Sequence, residues 1–343
     1  MTDAQAPRLT CRCGIDVHAH VVPENFPRYM GSAVPADWPS MAAAQPCHRS
    51  VMIGGKNYRT VSDKCWDAAK RVADLPAMGL ELQAVSPMPE LLSYWMAASA
   101  AEQLLRYMND TIAQMVSASG GHLVGLGAVP LQDLDLALQE LEYAVKILGF
   151  AGVEIGSNIN GKPVGDPQFD AFFEACEALG AAVFVHALRP TGMDRLVGPP
   201  PLQQVLAYPS DVGLAAASVL TTNLIERRPG LRIAFSHGGG TLAMLLPRLE
   251  QACSVFPALQ EGVVNSPTAQ ARKLFYDTLV FDTATLQHLV AKFGASQLMI
   301  GTDYPFNFHD RSPADRIVQA GLDDASVQQL VHDNARRYLG RPA

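Results

Sequence analysis

Residues 13–20 read CGIDVHAH, a β-prone apolar run that ends in two histidines separated by one residue. Alternate residues of a strand share a face, so His18 and His20 point to the same side and can reach one ion. A second stretch, QLMIGTDYP at 297–305, has the same build: an apolar strand that ends in a carboxylate, Asp303. Neutral imidazole nitrogens and a carboxylate oxygen form a donor set suited to zinc, with manganese, iron or cobalt as further occupants of such a site.

Between these stretches, β-rich runs alternate with helical periodicity. Strands are expected at 82–87, 122–130, 151–157, 181–187, 231–237 and 274–281, which with 13–19 and 297–305 makes eight. Helices are expected at 100–118, 133–148, 167–179, 210–227 and 284–293. Eight strand–helix units predict a (β/α)8 TIM barrel spanning 1–343 as a single domain. The gap at 21–63 has little helical period and is expected to be an inserted lid, with VMIGGKNYRTV forming a hairpin that turns at Gly54 and Gly55. The proline-rich stretch 189–208 is expected to overhang the same barrel mouth.

The active site of such a barrel lies at the C-terminal ends of its strands. His18 and His20 end the first expected strand, His186 the fifth, His237 the sixth and Asp303 the eighth. One histidine at a strand end is ordinarily a polar residue satisfied by backbone, but five such residues converging on one mouth predict a metal site. His48, His122, His288, His309 and His332 lack this convergence. The Gly238-Gly239-Gly240 run has no phosphate-loop lysine or dinucleotide fingerprint beside it.

The 343 residues carry a net charge of -7, which offers no basic footprint for nucleic acid, and no apolar run approaches the roughly 20 residues needed to cross a bilayer. The opening MTDAQAPRLT lacks the pattern of a secretory signal. A cytoplasmic protein is expected, with Cys11, Cys13, Cys47, Cys65, Cys176 and Cys253 as reduced thiols.

D-x-H-x-H at 16–20, V-H at 185–186, S-H-G-G-G at 236–240 and G-T-D-Y-P-F at 301–306 resemble the amidohydrolase superfamily. GKNYR at 55–59, YMND at 107–110, VPLQDLDLA at 129–137 and LLPR at 245–248 extend the resemblance to its α-amino-β-carboxymuconate-ε-semialdehyde decarboxylase family. That resemblance implies one divalent metal held by His18, His20, His186 and Asp303, with His237 acting on the metal-bound water. It implies that Arg59 binds substrate and that Arg248 does so across a homodimer interface. Glu154 is expected beside the site and not as a ligand.

The implied reaction is nonoxidative decarboxylation of a carboxylated muconate semialdehyde or a related unsaturated acid, in which hydroxide adds, carbon dioxide leaves and water is expelled. Hydroxybenzoate decarboxylation is an alternative, with Asp303 protonating the ring carbon. Amide or lactone hydrolysis and a noncatalytic metal-binding role are further readings. The family's Pro-Trp-Asp after the fifth-strand histidine is replaced here by Ala187-Leu188-Arg189, so Arg189 is a candidate third cation for an added carboxylate.

Overall fold

The computed structural model describes residues 13–341. Eight parallel strands pair in chain order: β1 (Gly14–Val21), β2 (Leu80–Pro87), β3 (Leu123–Ala128), β4 (Gly152–Gly156), β5 (Ala182–His186), β6 (Arg232–Phe235), β7 (Phe275–Asp277) and β8 (Leu298–Met299). Parallel bridges Asp16–Ile300 and Ala19–Tyr304 bring the last strand back to the first, with Val17 N–H donating to the Ile300 carbonyl at 2.9 Å. The expected TIM barrel is therefore present.

The last two strands are shorter than their apolar runs predict. The Asp277 carboxylate accepts the Leu279 N–H at 3.1 Å, a local turn that takes the chain out of the β7 ladder. Beyond Met299 the chain leaves β7 and meets β1 through single bridges.

The longest helices in each strand-to-strand connection are, in sequence, α1 (Ala68–Asp74), α2 (Ala98–Ala118), α3 (Leu134–Glu142), α4 (Asp170–Leu179), α5 (Tyr208–Thr221), α6 (Leu242–Val255) and α7 (Thr283–Phe293). Their starts follow from side-chain caps. Asp133 accepts the Leu136 N–H at 3.1 Å and Asp282 the Thr285 N–H at 2.7 Å, satisfying backbone donors that the first turn leaves open. Gly180, at φ 61°, ends α4 in the left-handed conformation that glycine adopts without a steric penalty.

The barrel has two cores. Ile15, Val17, Leu82, Ala84, Val124, Leu126 and Phe184 pack inside it, whereas Ala19, Val21 and Val85 pack outward beneath the helices. The change of face within β1 has a local cause. Asp16 pairs with Gln83 and Ala19 with Val85, so three steps along β1 oppose two along β2. That extra residue is a bulge, and it reverses the alternation. Without it, the inward Ile15 and Val17 would force His18 and His20 outward.

The insertion after β1 contains an antiparallel sheet of strands Ser40–Ala43, His48–Ile53 and Lys56–Ser62. The expected hairpin turns at Gly54 and Gly55, whose φ values of 57° and 73° suit the tight turn that matches strand twist. The Ser40–Ala43 strand, SMAA, which pairs with this hairpin, has too little β character to be recognised in the sequence. Arg59 lies opposite Val51 on this hairpin. The 189–208 stretch ends in a π-helical turn, Gln203–Ala207, that leads directly into Tyr208.

Cys47, Cys65, Cys176 and Cys253 are free thiols, but Cys13 is disulfide-bonded, which corrects the expectation at that position. Cys11 lies outside the described residues. No helix among the described residues is long and apolar enough to cross a membrane.

Candidate metal centre and active site

The β1 bulge places His18 Nε2 and His20 Nε2 3.1 Å apart inside the barrel mouth. Asp303 Oδ1 lies 3.0 Å from His20 Nε2 and 3.7 Å from His18 Nε2. His186, at the end of β5, completes the group, and one donor atom from each of the four residues lies within 4.8 Å of the others. All three histidines are buried.

The hydrogen bonds on the far side of each ring determine what faces inward. His20 Nδ1 meets the Pro87 carbonyl at 3.1 Å and His186 Nδ1 the Ala187 carbonyl at 2.8 Å. A carbonyl only accepts, so both Nδ1 atoms carry the proton and both Nε2 atoms present lone pairs. His18 Nδ1 is committed in the same way to Asp277 Oδ2 at 2.7 Å. His186 Nε2 is buried with no hydrogen-bond partner among the described residues. Three lone pairs and a carboxylate facing one another repel unless a cation lies among them, so this donor set fits a divalent metal.

Burial holds the His18 and His20 pKa values at about 3, moves His186 in the same direction, and keeps all three imidazoles neutral. Burial also raises Asp277, although His237 and three backbone N–H donors oppose that rise.

His237 follows β6 and stands beside the four-residue group. Its ring centroid lies 5.0 Å from that of His186 and 5.4 Å from that of His18. Its φ of 54° and the 62° of Asp303 place both in the left-handed region, uncommon for residues other than glycine and found where surrounding contacts over-determine the backbone. Those contacts are present. Asp277 Oδ2 accepts the His237 N–H at 2.9 Å and Oδ1 accepts the Gly238 N–H at 2.7 Å, while the His18 carbonyl accepts the Asp303 N–H at 2.8 Å. Ser236 Oγ meets His237 Nδ1 at 3.0 Å.

Glu154 projects from β4 but is not in the four-residue group. Ser86 Oγ donates to its Oε2 at 2.5 Å, and that oxygen lies 3.8 Å from His20 Nδ1, on the side of the ring away from the other donors.

A cavity above the group is lined by His20, His186, His237 and Asp303 on its floor and by Tyr58, Arg59, Tyr208, Phe306 and Phe308 on its walls. It adjoins an outer chamber of about 590 Å³ that shares Tyr58, Arg59, Gln204, Tyr208, Phe306 and Phe308 with it. The Arg59 guanidinium stacks 4.3 Å from the Phe306 ring centre and makes no ion pair among the described residues.

The other two expected arginines are placed differently. Arg189 pairs with Glu90 Oε1 at 2.9 Å, lies over the Trp95 ring and does not line the cavity. Arg248 is exposed on α6, one turn from the exposed Met244 and Leu245, and does not line the cavity of its own chain.

Asp277, which engages both His18 and His237, was not singled out from the sequence. Its only signal is its position at the end of β7, where a barrel presents active-site groups.

The sequence matches the amidohydrolase family, described as Amidohydrolase, over residues 15–341. The chain belongs to that family. Among its amidohydrolase relatives is a Dictyostelium discoideum protein named 2-amino-3-carboxymuconate-6-semialdehyde decarboxylase, 34% identical over 95% of this chain and 91% of its own. A solved structure described as Metarhizium anisopliae IDCase in apo form superposes with a TM-score of 0.80 at 20% identity, covering 96% of this chain and 97% of that one. A Polaromonas dihydroxybenzoic acid decarboxylase with bound manganese and the inhibitor 2-nitroresorcinol gives 0.78 at 22% identity, again covering 96% and 97%. The relationship expected from the motifs is borne out, as is the class of enzyme, a metal-dependent carboxy-lyase.

Proposed function

We propose that this amidohydrolase decarboxylates a carboxylated muconate semialdehyde or a closely related unsaturated acid, without oxidation. The observation that carries the reading is the unpaired Arg59 guanidinium, held in an aromatic cavity above three inward-facing imidazole lone pairs and Asp303. The Dictyostelium relative's name and its identity over nearly the full chain support the substrate class.

His18, His20, His186 and Asp303 would hold a divalent ion, which when bound would supply Lewis acidity to the oxygen on which negative charge develops. Zinc suits the three-imidazole, one-carboxylate set, and manganese in the Polaromonas structure supports a site that accepts either. Arg59 makes paired, charge-assisted hydrogen bonds to a substrate carboxylate and orients the bond to be broken. Phe306 and Phe308 exclude water from the conjugated chain. As the carbon–carbon bond breaks, its electron pair stays on the substrate carbon and carbon dioxide leaves. His237 takes up a proton from water in the cavity and delivers it to that carbon from Nε2, because Ser236 engages its Nδ1.

A homodimer is the proposed assembly, with the exposed Met244 and Leu245 buried at the contact and Arg248 of one copy entering the other's outer chamber. Arg189 is proposed to tune specificity only indirectly, because Glu90 already balances its charge.

The substrate class is tested by offering the metal-loaded protein a carboxylated muconate semialdehyde, 2,6-dihydroxybenzoate and simple amides and lactones. Consumption of the semialdehyde with release of one carbon dioxide per molecule consumed supports the reading. Turnover confined to the dihydroxybenzoate overturns the substrate class, and turnover confined to amides or lactones overturns the reaction class.

A further inference from the structure

Arg71 is the largest fully buried side chain and carries a charge, yet it makes no ion pair among the described residues. It lies on α1, outside the barrel wall and behind β1. Nη1 donates to Gln83 Oε1 at 2.7 Å, and Nη2 donates to the carbonyls of His20 at 2.6 Å and Lys64 at 3.0 Å. The Tyr304 ring centre lies 4.9 Å from the guanidinium carbon. Burying an unpaired guanidinium is strongly unfavourable, and packing alone would be served better by an apolar residue of the same length. Its partners suggest another use.

Two of these hydrogen-bond partners lead to metal ligands. His20 has both backbone polar groups held, its carbonyl by Arg71 and its N–H by the Tyr304 carbonyl at 2.8 Å. Gln83, oriented by Arg71, donates through Nε2 to Asp16 Oδ2 at 2.8 Å. Asp16 Oδ1 in turn accepts the His18 N–H at 3.0 Å and the Thr302 N–H at 3.1 Å, next to Asp303. The Asp16–Ala19 segment held in this way is the bulge, where the β1–β2 ladder loses its register. The β1–β2 ladder is interrupted at Val17 and His18, where these side-chain bonds take its place, whereas His20 is back in register with Ser86 and gains the Arg71 contact in addition.

We propose that Arg71 is a positioning residue for the metal centre, acting from outside the barrel on His20 directly and on His18 and Asp303 through Gln83 and Asp16. The proposal rests on the reading of His18, His20, His186 and Asp303 as a metal site. Groups that orient metal ligands change metal affinity by about 10- to 100-fold when removed. Arg71 does so without contacting the metal, a ligand ring or substrate.

The test is Co²⁺ binding to the metal-stripped full-length protein, measured by competition with a chromophoric chelator and by the visible spectrum of the bound ion. Arg71→Met is expected to weaken Co²⁺ binding by about 10- to 100-fold and to alter the spectrum, while Arg71→Lys, which keeps the charge and one donor contact, recovers part of the loss. Gln83→Met removes only the arm to Asp16 and is expected to weaken binding by a smaller factor. A merely structural arginine would lower the melting temperature and leave affinity and spectrum unchanged in protein that remains folded. Folded Arg71→Met with wild-type affinity and spectrum overturns the proposal. If Arg71→Met does not fold, wild-type Co²⁺ affinity in both Arg71→Lys and Gln83→Met overturns it equally. Wild-type protein that takes up no Co²⁺ overturns the metal reading itself, which separates the two failures.

Discussion

The Asp303 N–H donates to the His18 carbonyl at 2.8 Å, so two residues 285 positions apart that share the candidate metal group are also joined through their backbones. The bond lies where β8 returns to β1 and closes the barrel. Closing the barrel and assembling the donor set are therefore one structural event, and a metal bound there braces the first and last strands against each other.

Metal removal should accordingly cost stability as well as activity. An ion present at about 1,000 times its dissociation constant stabilises the folded state by about 4 kcal/mol. The melting temperature of chelator-treated protein is expected to rise with added Zn²⁺ or Mn²⁺, most steeply around one equivalent per chain and then only with the logarithm of further metal. Scanning fluorimetry across a metal titration checks this, and an unchanged midpoint would contradict the coupling.

His237 stands beside the four donors but is not among them. His237→Ala is expected to retain one metal per chain and to lose about 100- to 10,000-fold in kcat, the range expected for a lost acid–base group. Metal analysis alongside steady-state kinetics checks both halves. Loss of metal would recast His237 as a ligand, and unchanged kcat would remove it from the chemistry.

Asp277 accepts the His18 imidazole and three backbone N–H groups, from His237, Gly238 and Leu279. An asparagine keeps the shape but turns one acceptor oxygen into a donor that faces other donors. Asp277→Asn is therefore expected to weaken metal binding by about 10- to 100-fold and to lower kcat at saturating metal, because it disturbs a ligand and His237 together. Metal affinity and kcat equal to wild type would contradict this role.

Arg59 and Arg189 are separated by their partners. Arg59 has no carboxylate in ion-pair range among the described residues, whereas Arg189 has Glu90. Arg59→Ala should raise KM for a carboxylate substrate by about 10- to 100-fold, corresponding to the roughly 1.5–3 kcal/mol of a charged hydrogen bond. Arg189→Ala should change KM by much less. Initial-rate kinetics on the two variants decide the order, and a reversed order would move the carboxylate site to the Arg189 side.

Much of this site was legible in the sequence because its residues end strands. His18, His20, His186, His237 and Asp303 each follow an apolar run, and a barrel brings such ends to one mouth. What gave no signal depends on tertiary contact. The β1 bulge that turns the histidines inward arises from pairing with β2 and leaves no local mark. Asp277 is a single carboxylate with no spacing partner, and the Arg71–Gln83–Asp16 bonds join three elements. Arg189 looked like a free cation because Glu90 lies 99 residues away.

The central claim, metal-dependent decarboxylation at this site, is tested most directly by carbon dioxide released per substrate consumed. The substrate is a carboxylated muconate semialdehyde, and the protein is compared as metal-stripped, metal-restored and metal-restored Asp303→Ala preparations. The account predicts one carbon dioxide per substrate from the restored wild type and only background release from the other two. Equal release with and without metal, or substrate consumed with no carbon dioxide formed, would contradict it.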